Sequence, residues 1–410
     1  MEHRTCPVLD PKGSDLHAEA ARLRANGPAT LVLLPGRVPA WSVTSYHWIK
    51  KLARDSRVSR DPRRHWPDLD TVPLDSPMNV WIRGNSALFA YGADHRRQRA
   101  LLAPSFAPQR TEALRPRVVR TVAQLIEKLR RTQPGDVVDL RQEFAHAIPT
   151  EVIFGLFGVP EDVRAETRRV VDTMHHTAAS PQEALASYTE LRASIGAIID
   201  LKRKNPGEDM TSDLIAAHDE GRLSEQELLS NLILMLGAGS ETTVNLIAKA
   251  IHALLTEPGQ LRLLREGRVG WTDVIEETLR GEGPLMHMPL RYAVEDIPLT
   301  DDLVIRKGEA ILLGFGAAGR DPAVHGETCD DFDATRTSKE HLAFGYGAHF
   351  CPGASLARLE AEIALPALFD AFPDMALAVP AGELRPQESF ITNGHRALPV
   401  RLRGGAGAPG

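Results

Sequence analysis

A glycine-rich turn that contains one cysteine, immediately ahead of a long apolar segment, constrains the fold of this chain more than any other feature. It runs Phe344-Gly345-Tyr346-Gly347-Ala348-His349-Phe350-Cys351-Pro352-Gly353. Its glycines can adopt positive φ, which lets the backbone pass close to a flat ligand. The segment 354–372 predicts a helix, whose N-terminal amides favour an anion such as a thiolate. A cysteine presented in this way can bind the iron of a porphyrin, whereas an isolated cysteine in a tight turn is more often a buried structural residue.

The ten residues of this turn resemble the haem-ligating loop of the cytochrome P-450 superfamily, the haem-thiolate monooxygenases. The matching positions are Phe344, Gly345, Gly347, His349, Cys351 and Gly353. The resemblance implies that Cys351 is the axial iron ligand, which favours O–O cleavage, and that Phe344 and Gly353 contact the haem. Pro352 departs from the pattern, because this position is usually aliphatic. The implied fold is mainly α with a small β-rich region, in the triangular cytochrome P-450 architecture.

Length and composition place few limits on function. A chain of 410 residues suggests two or three domains by length alone, whereas the resemblance implies one haem-thiolate domain over residues 1–403. The formal net charge of −6 gives no general reason to expect a nucleic-acid partner. Three cysteines, one of them assigned to iron, argue against a disulfide framework and for a reducing compartment.

Membrane attachment is not expected. The first thirteen residues carry no basic-then-apolar signal. The apolar run 232–239 is far shorter than the ~20 residues that span a bilayer. We therefore expect a cytoplasmic monomer without a membrane partner. The segment 404–410 is rich in glycine and alanine and predicts a disordered tail.

The periodicity predicts helices, with strands in two parts of the chain. Thr30–Leu34 and Ala40–Thr44 are predicted strands, and the Pro- and Asp-rich stretch 62–92 predicts a long irregular loop with one short helix. A capping box at Ser224 opens the longest helix, which ends before Pro258. Further short strands are predicted at 297–299, 303–305 and 310–313.

The middle of the longest helix has the sequence Ala238-Gly239-Ser240-Glu241-Thr242-Thr243. A glycine there lowers helix stability by about 1 kcal/mol relative to alanine, so either close packing or function must select it. The hexapeptide resembles the oxygen-binding segment of the family, where an acid and an alcohol distort the helix over the haem. This implies that Ala238 contacts haem, that Thr242 hydrogen-bonds the dioxygen and that Glu241 brings in protons through water.

Glu277 and Arg280 are three residues apart on one predicted helix face. Alone, such a pair predicts only a surface ion pair. In this order and distance from Cys351 it resembles the Glu-x-x-Arg motif of the family. The resemblance implies a buried structural pair, completed by Arg336, that braces the segment leading to the haem loop.

The two haem propionates require cations or hydrogen-bond donors. His95 and Arg99 are four residues apart on a predicted helix, so both can face one carboxylate. With Arg291 and His349 they match positions that bind propionates in the family. A lone histidine such as His95 would more often be a solvated helix residue.

Substrate-facing positions are implied by the resemblance alone. Two of them are methionines, which adapt to irregular ligands but are more often plain core. The positions are Trp81, Phe89, Leu234, Met286, Met288 and Ile391.

These residues imply a haem b monooxygenase that inserts one atom of O2 into a C–H bond of a hydrophobic small molecule of the natural-product, steroid or terpenoid type. NAD(P)H would supply electrons through a separate ferredoxin reductase and ferredoxin. The chain itself has neither a GxGxxG nucleotide loop nor iron–sulfur cysteine spacing.

Other functions of the same fold stay open. Oxidative C–C or C–N coupling of aromatic natural-product units, such as cyclodipeptides, would use the same haem. A peroxide-driven peroxygenase would not need Glu241 and Thr242, so their presence argues against it. A non-catalytic haem sensor is disfavoured by the same two residues, and turnover with ferredoxin and its reductase would separate an enzyme from a sensor.

Overall fold

The computed structural model describes residues 6–76, 78–172 and 179–403. Over these residues the chain is mainly helical with small β-sheets, which confirms the predicted fold class. The predicted disordered tail, 404–410, lies outside the described residues. None of the helices described there combines the length and apolar character needed to cross a bilayer.

Helices form most of the molecule. They are α1 (Leu16–Ala25), α2 (Tyr46–Arg54), α3 (Pro62–His65), α4 (Asn79–Ile82), α5 (Gly92–Leu102), α6 (Pro108–Ala113), α7 (Arg115–Arg130), α8 (Ala147–Leu156), α9 (Arg164–Asp172), α10 (Pro181–Lys204), α11 (Met210–Asp219), α12 (Glu225–Thr256), α13 (Pro258–Arg265), α14 (Trp271–Gly281), α15 (Phe315–Ala318), α16 (Pro322–His325) and α17 (Ala354–Ala371). One π-helical turn, Arg141–Ala145, precedes α8.

The strands form small sheets that join distant parts of the sequence. They are β1 (Thr30–Leu34), β2 (Val38–Val43), β3 (Val58–Ser59), β4 (Val137–Asp139), β5 (Met288–Ala293), β6 (Ile297–Thr300), β7 (Leu303–Ile305), β8 (Ala310–Leu313), β9 (Ala376–Leu377) and β10 (Pro399–Arg401). The largest sheet has the order β1-β2-β8-β5-β3, in which β2 pairs parallel to β8 and the other pairs are antiparallel. The strands predicted near the N-terminus (β1 and β2) and between residues 297 and 313 (β6, β7 and β8) are therefore confirmed.

Helix α12 is the central element of the core. Its start is fixed as predicted, because the Ser224 hydroxyl accepts from the Glu227 N–H at 3.2 Å and the Glu227 carboxylate accepts from the Ser224 N–H at 2.8 Å. The helix packs against α8, α10, α14 and α17. Almost every residue from Val244 to Leu254 is buried, so this half of α12 is enclosed by protein.

The stretch 62–92 is more ordered than the sequence predicts. Besides α3 and α4, it contains two 3-10 turns, Pro67–Thr71 and Ala87–Phe89. Pro62 and Pro67 each occupy the start of a helical turn, where the missing N–H has no cost. The prediction of one short helix was therefore wrong. Proline is expected to end helical structure, whereas here it begins it.

Candidate functional site

The cysteine loop is a tight turn that leads into α17. Gly345 and Gly347 have φ values of +72° and +76°, which residues with a side chain rarely adopt. A Cβ atom on Gly347 would also lie 2.5 Å from the carbonyl oxygen of Ala53. The Cys351 N–H donates to the carbonyl oxygen of Phe344 at 2.9 Å and closes the loop. The loop thus presents the sulfur just before the first turn of α17.

The backbone N–H of Gly353 lies close enough to the Cys351 sulfur to help stabilise its thiolate. Pro352 has no N–H and cannot supply another. Burial raises the pKa of the Cys351 thiol, while the Gly353 amide and the guanidinium groups of Arg99 and Arg358 act to lower it. Because burial is the larger effect, a cation bound at the sulfur would be needed to hold the thiolate form.

A cavity lies between this loop and the middle of α12. Cys351 and Gly353 line it from the loop side, and Ala238 and Thr242 line it from α12. The remaining wall is mostly apolar or aromatic and includes Val80, Trp81, Phe89, Ile153, Leu234 and Met288. The cavity therefore offers a thiol and a hydroxyl-bearing helix segment within an apolar enclosure.

Basic side chains border the same cavity, and we call Arg60, His95, Arg99, Arg291 and His349 the basic cluster. Arg60 and Arg291 are each only 2% exposed. Burial lowers the pKa of Arg291 to about 10, and burial together with the neighbouring cations lowers the pKa of His349 well below its usual range. In the described part of the chain none of the five has a carboxylate ion-pair partner, so the cluster is suited to an anionic ligand.

A haem fits this arrangement, because it needs a thiolate for its iron and cations for its two propionates. The rings of His95 and His349 lie 4.1 Å apart between centroids. Arg99 donates to the carbonyl oxygen of Phe350 at 2.7 Å, which places its guanidinium beside the loop. The structure brings together the four propionate candidates from the sequence. It adds Arg60, for which the sequence carried no signal.

The acid and the alcohol predicted to handle protons have different surroundings. Thr242 lines the cavity, and its hydroxyl donates to the carbonyl oxygen of Ala238 at 2.8 Å. Glu241 is buried outside the cavity wall, where its carboxylate accepts hydrogen bonds from Arg141 and Gln387. Helix α12 continues as one α-helix through this segment.

Close packing explains the glycine in this segment. A Cβ atom on Gly239 would lie 2.5 Å from the side chain of Ile153 in α8. Glycine at this position therefore lets α12 approach α8 and brings Ile153 into the cavity wall. The helix-packing alternative left open by the sequence is correct for Gly239.

Glu277 and Arg280 form a fully buried ion pair in α14. Arg280 donates to both carboxylate oxygens, at 2.7 and 2.8 Å, and both side chains are 0% exposed. The Nε of Arg336 lies 3.5 Å from the same carboxylate. Arg280 also donates to the carbonyl oxygens of Gly319 and Cys329. The three charged residues thus tie α14 to the chain that leads toward the cysteine loop.

The six substrate-facing candidates divide into two groups. Trp81, Phe89, Leu234 and Met288 line the cavity. Met286 and Ile391 do not line the cavity. The Met286 N–H donates to the carbonyl oxygen of Ile391 at 2.8 Å, and both side chains are fully buried in the core cluster that includes residues of β5. For these two residues the expected substrate contact is replaced by core packing.

Glu360 is a site residue that the sequence did not indicate. It lies two turns into α17, is 1% exposed and borders the cavity. Its Oε2 atom has no hydrogen-bond partner among the described residues, and burial raises its pKa well above the usual range. The carboxyl group therefore favours its neutral form more than an exposed glutamate does.

Replacing Glu360 with glutamine should stabilise the protein at high pH. Because the pKa of Glu360 is raised in the folded protein, its carboxyl contributes most to the free energy of unfolding below about pH 4. This contribution is lost as the pH rises toward the pKa of the folded state. The variant lacks this loss, so its Tm should exceed that of the wild type by more at pH 8 than at pH 5. Glu362→Gln, at an exposed position of the same helix, is the control. A Tm difference that stays constant with pH would contradict a neutral Glu360.

Comparisons with known proteins agree with this geometry. The sequence profile of the cytochrome P450 family matches residues 271–376. A 2-hydroxy-5-methyl-1-naphthoate 7-hydroxylase of Streptomyces carzinostaticus is 43% identical over 407 residues, which cover 98% of this chain and 99% of that protein. A 6-deoxyerythronolide B hydroxylase of Saccharopolyspora erythraea is 36% identical, with coverage of 95% and 96%. The solved structure of CYP154A1 from Streptomyces coelicolor is 49% identical, with a TM-score of 0.94 and coverage of 97% and 100%.

Proposed function

Because the chain belongs to the cytochrome P450 family and is a monooxygenase that uses haem and dioxygen, we propose that it inserts one oxygen atom into a C–H bond of a hydrophobic natural product, steroid or terpenoid. The observation that carries the proposal is one cavity bordered by Cys351, Thr242 and the basic cluster. A bound haem supplies the activation of dioxygen, whose second atom leaves as water.

We assign the binding of this haem to residues around the cavity. Cys351 holds the iron, and the basic cluster holds the propionates with charge-assisted hydrogen bonds. Ala238, Phe344 and Gly353 border the same space and pack against the flat ring. The ion pair of Glu277 and Arg280 contributes indirectly, by fixing the chain that leads to the loop.

Thr242 and Glu241 are the residues we assign to proton handling. The Thr242 hydroxyl now donates within its own helix, to Ala238, and a rotation about its χ1 bond turns it toward the cavity. There it would order a proton donor, such as a water molecule, beside the dioxygen that a bound haem would activate. Glu241 replaces the protons that are consumed, since a titratable carboxylate can gain and lose them repeatedly.

The substrate assignment rests on the wall of the cavity. Trp81, Phe89, Leu234 and Met288 present a largely apolar surface that suits a fused-ring or macrocyclic skeleton. The related hydroxylases act, by their names, on a naphthoate and on a deoxyerythronolide. A hydrophobic natural product is therefore the class of substrate that we infer.

We also propose that electrons arrive from NAD(P)H through ferredoxin reductase and ferredoxin. Three cysteines, one of them held by iron, are too few for an iron–sulfur cluster of the usual four-cysteine type within this chain. A separate ferredoxin is consequently needed. Oxygen-18 gas separates hydroxylation from oxidative coupling, because only the hydroxylated product retains an atom from O2.

Thr242→Ala should uncouple the enzyme without unfolding it. Loss of the hydroxyl removes the ordered proton donor, so electrons are diverted to hydrogen peroxide and product formation falls about tenfold or more. The measurement is peroxide formed and product formed per NAD(P)H consumed, with ferredoxin and its reductase present.

A matched control for this variant lies on the same helix. The hydroxyl of Thr256 also donates to the carbonyl oxygen four residues earlier, at 2.9 Å, but it is not among the residues that line the cavity. Thr256→Ala should couple as the wild type does. Equal peroxide yields from Thr242→Ala and wild type would assign Thr242 to packing alone.

A further inference from the structure

The C-terminal half of α12 carries polar and charged residues along one side. Glu241, Asn245, Lys249 and His252 follow one another at helical spacing, and we call them the polar stripe. Asn245 lies seven residues, or about two turns, after Ala238, so the stripe continues the side of the helix that borders the cavity. This half of the helix is otherwise apolar and buried, and nothing in the haem site requires a lysine there.

The inner end of the stripe is the carboxylate of Glu241. It accepts hydrogen bonds from Arg141 and from the side-chain amide of Gln387. The oxygen of the same Gln387 amide accepts from Asn245 at 3.0 Å. Hydrogen-bonding groups therefore continue from Glu241 toward the C-terminus of the helix.

The outer end of the stripe reaches the protein surface. Lys249 donates to Glu282 at 2.9 Å, and the two side chains are 9% and 20% exposed. Glu282 also forms an ion pair with Arg320, and its carboxylate lies 3.7 Å from Nε2 of His17, whose side chain is 20% exposed. Water can thus reach the Glu282 end while the Glu241 end is enclosed.

Two histidines lie close to Lys249. The rings of His252 and His395 are 4.7 Å apart between centroids. His395 follows Gly394, whose carbonyl oxygen accepts from the Gln387 N–H at 2.9 Å, so the imidazole is next to the inner hydrogen-bonding groups. Burial and the charge of Lys249 lower the pKa of His395 to about 3 and also lower that of His252. Neutral imidazoles can accept a proton on one nitrogen and release one from the other.

Stability alone does not account for this arrangement. A buried ion pair is weak evidence for stabilisation, because apolar residues of similar size are often as stable or more so. The Nδ1 atom of His395 is buried and has no hydrogen-bond partner in the described ranges. A fully structural network would satisfy such an atom, whereas a relay needs a site that a water molecule or a proton can occupy.

We propose that the polar stripe, together with His395 and Glu282, is the route by which solvent protons reach Glu241. This inference rests on the proposed monooxygenase function and adds the path by which the Glu241 carboxylate is reprotonated. One turnover consumes the C–H substrate, O2, two electrons and two protons, and yields the alcohol and one water. Each proton that Glu241 passes toward Thr242 and the cavity is replaced by one that enters at Glu282 and His17, so every relay group returns to its starting state.

The test compares Lys249→Met with wild type in the holoenzyme. The variant removes the ammonium group that pairs with Glu282 on the polar stripe but leaves Glu282 paired with Arg320. We expect about tenfold lower coupled turnover and a larger solvent deuterium isotope effect, because proton delivery becomes limiting. Lys249→Arg should restore much of both. Wild-type turnover and isotope effect in Lys249→Met would overturn the route.

A matched control and a measurement without turnover complete the test. Lys202 forms a similarly buried ion pair with Asp209 and is not part of the polar stripe, so Lys202→Met should leave the isotope effect unchanged. In the carbon monoxide complex, solvent exchange of the ring N–H of His395, followed by 15N NMR, should be slower in Lys249→Met than in wild type. Equal exchange rates would count against the route.

The remaining outcomes distinguish failure of the proton route from failure of the proposed monooxygenase function. If Lys249→Met does not fold, His395→Phe replaces it, since the ring is kept while its nitrogens are lost, and the same drop in turnover is expected. A wild-type protein that turns over no substrate with ferredoxin and reductase refutes the monooxygenase itself. A wild type that turns over normally beside an unaffected His395→Phe refutes only the route.

Discussion

Cys351→Ala should abolish the red-shifted Soret band that a reduced haem–thiolate protein shows with carbon monoxide. The loop closed by the Cys351–Phe344 hydrogen bond presents one sulfur to the cavity, and neither Cys6 nor Cys329, both within the described residues, borders that cavity. Without the thiolate the iron loses the ligand that donates electron density for O–O cleavage, so product formation should fall to background. The measurement is the carbon monoxide difference spectrum of the purified variant.

Cys6→Ala is the control for this experiment. Its thiol donates to the carbonyl oxygen of Leu31 in β1, far from the cysteine loop in the fold. The control should keep the full red-shifted band. If Cys351→Ala kept that band as well, the assignment of the iron ligand would be wrong, and with it the function we propose.

Glu277→Ala should prevent stable haem incorporation rather than slow the reaction. The change leaves the guanidinium of Arg280 fully buried without its counter-charge, which costs about 3–5 kcal/mol. That is a large part of the stability of an ordinary domain. Haem content per protein and the Tm of the purified variant measure the effect, and Arg280→Ala should behave in the same way.

An exposed pair with the same spacing serves as the control. Glu112 and Arg115 are also three residues apart, but their side chains are 62% and 44% exposed. Glu112→Ala should change haem content and Tm very little, because water screens such pairs. Normal haem content in Glu277→Ala would mean that the buried pair does not support the cysteine loop.

The features that the sequence predicted well are those set by neighbouring residues. The capping box at Ser224 involves residues three apart, so the start of α12 could be read directly. The turns at Gly345 and Gly347 depend on φ values that glycine adopts most easily. In both cases the local preference and the final fold agree, which is why short motifs sufficed.

The features that sequence reasoning missed depend on contacts between distant segments. Arg60 and Arg291 border one cavity although more than two hundred residues separate them. In the sequence, Glu360 lies two residues after the charged Arg358 in a predicted helix, and nothing in this pattern indicates that its side chain is buried. Met286 and Met288 have the spacing of strand neighbours, yet Met286 pairs with the segment of Ile391 and leaves the cavity to Met288. Such placements follow from tertiary packing alone.

The mixed sheet also sets the order in which a newly made chain can mature. Trp41 in β2 pairs with Ile311 in β8, and Val58 in β3 pairs with Ala293 in β5. At about 5–20 residues per second, ribosomal synthesis leaves the first strands waiting tens of seconds for partners. The basic cluster is divided in the same way, with Arg60 near the start and His349 near the end. Cofactor capture therefore has to wait until the segment that carries His349 and Cys351 has been made.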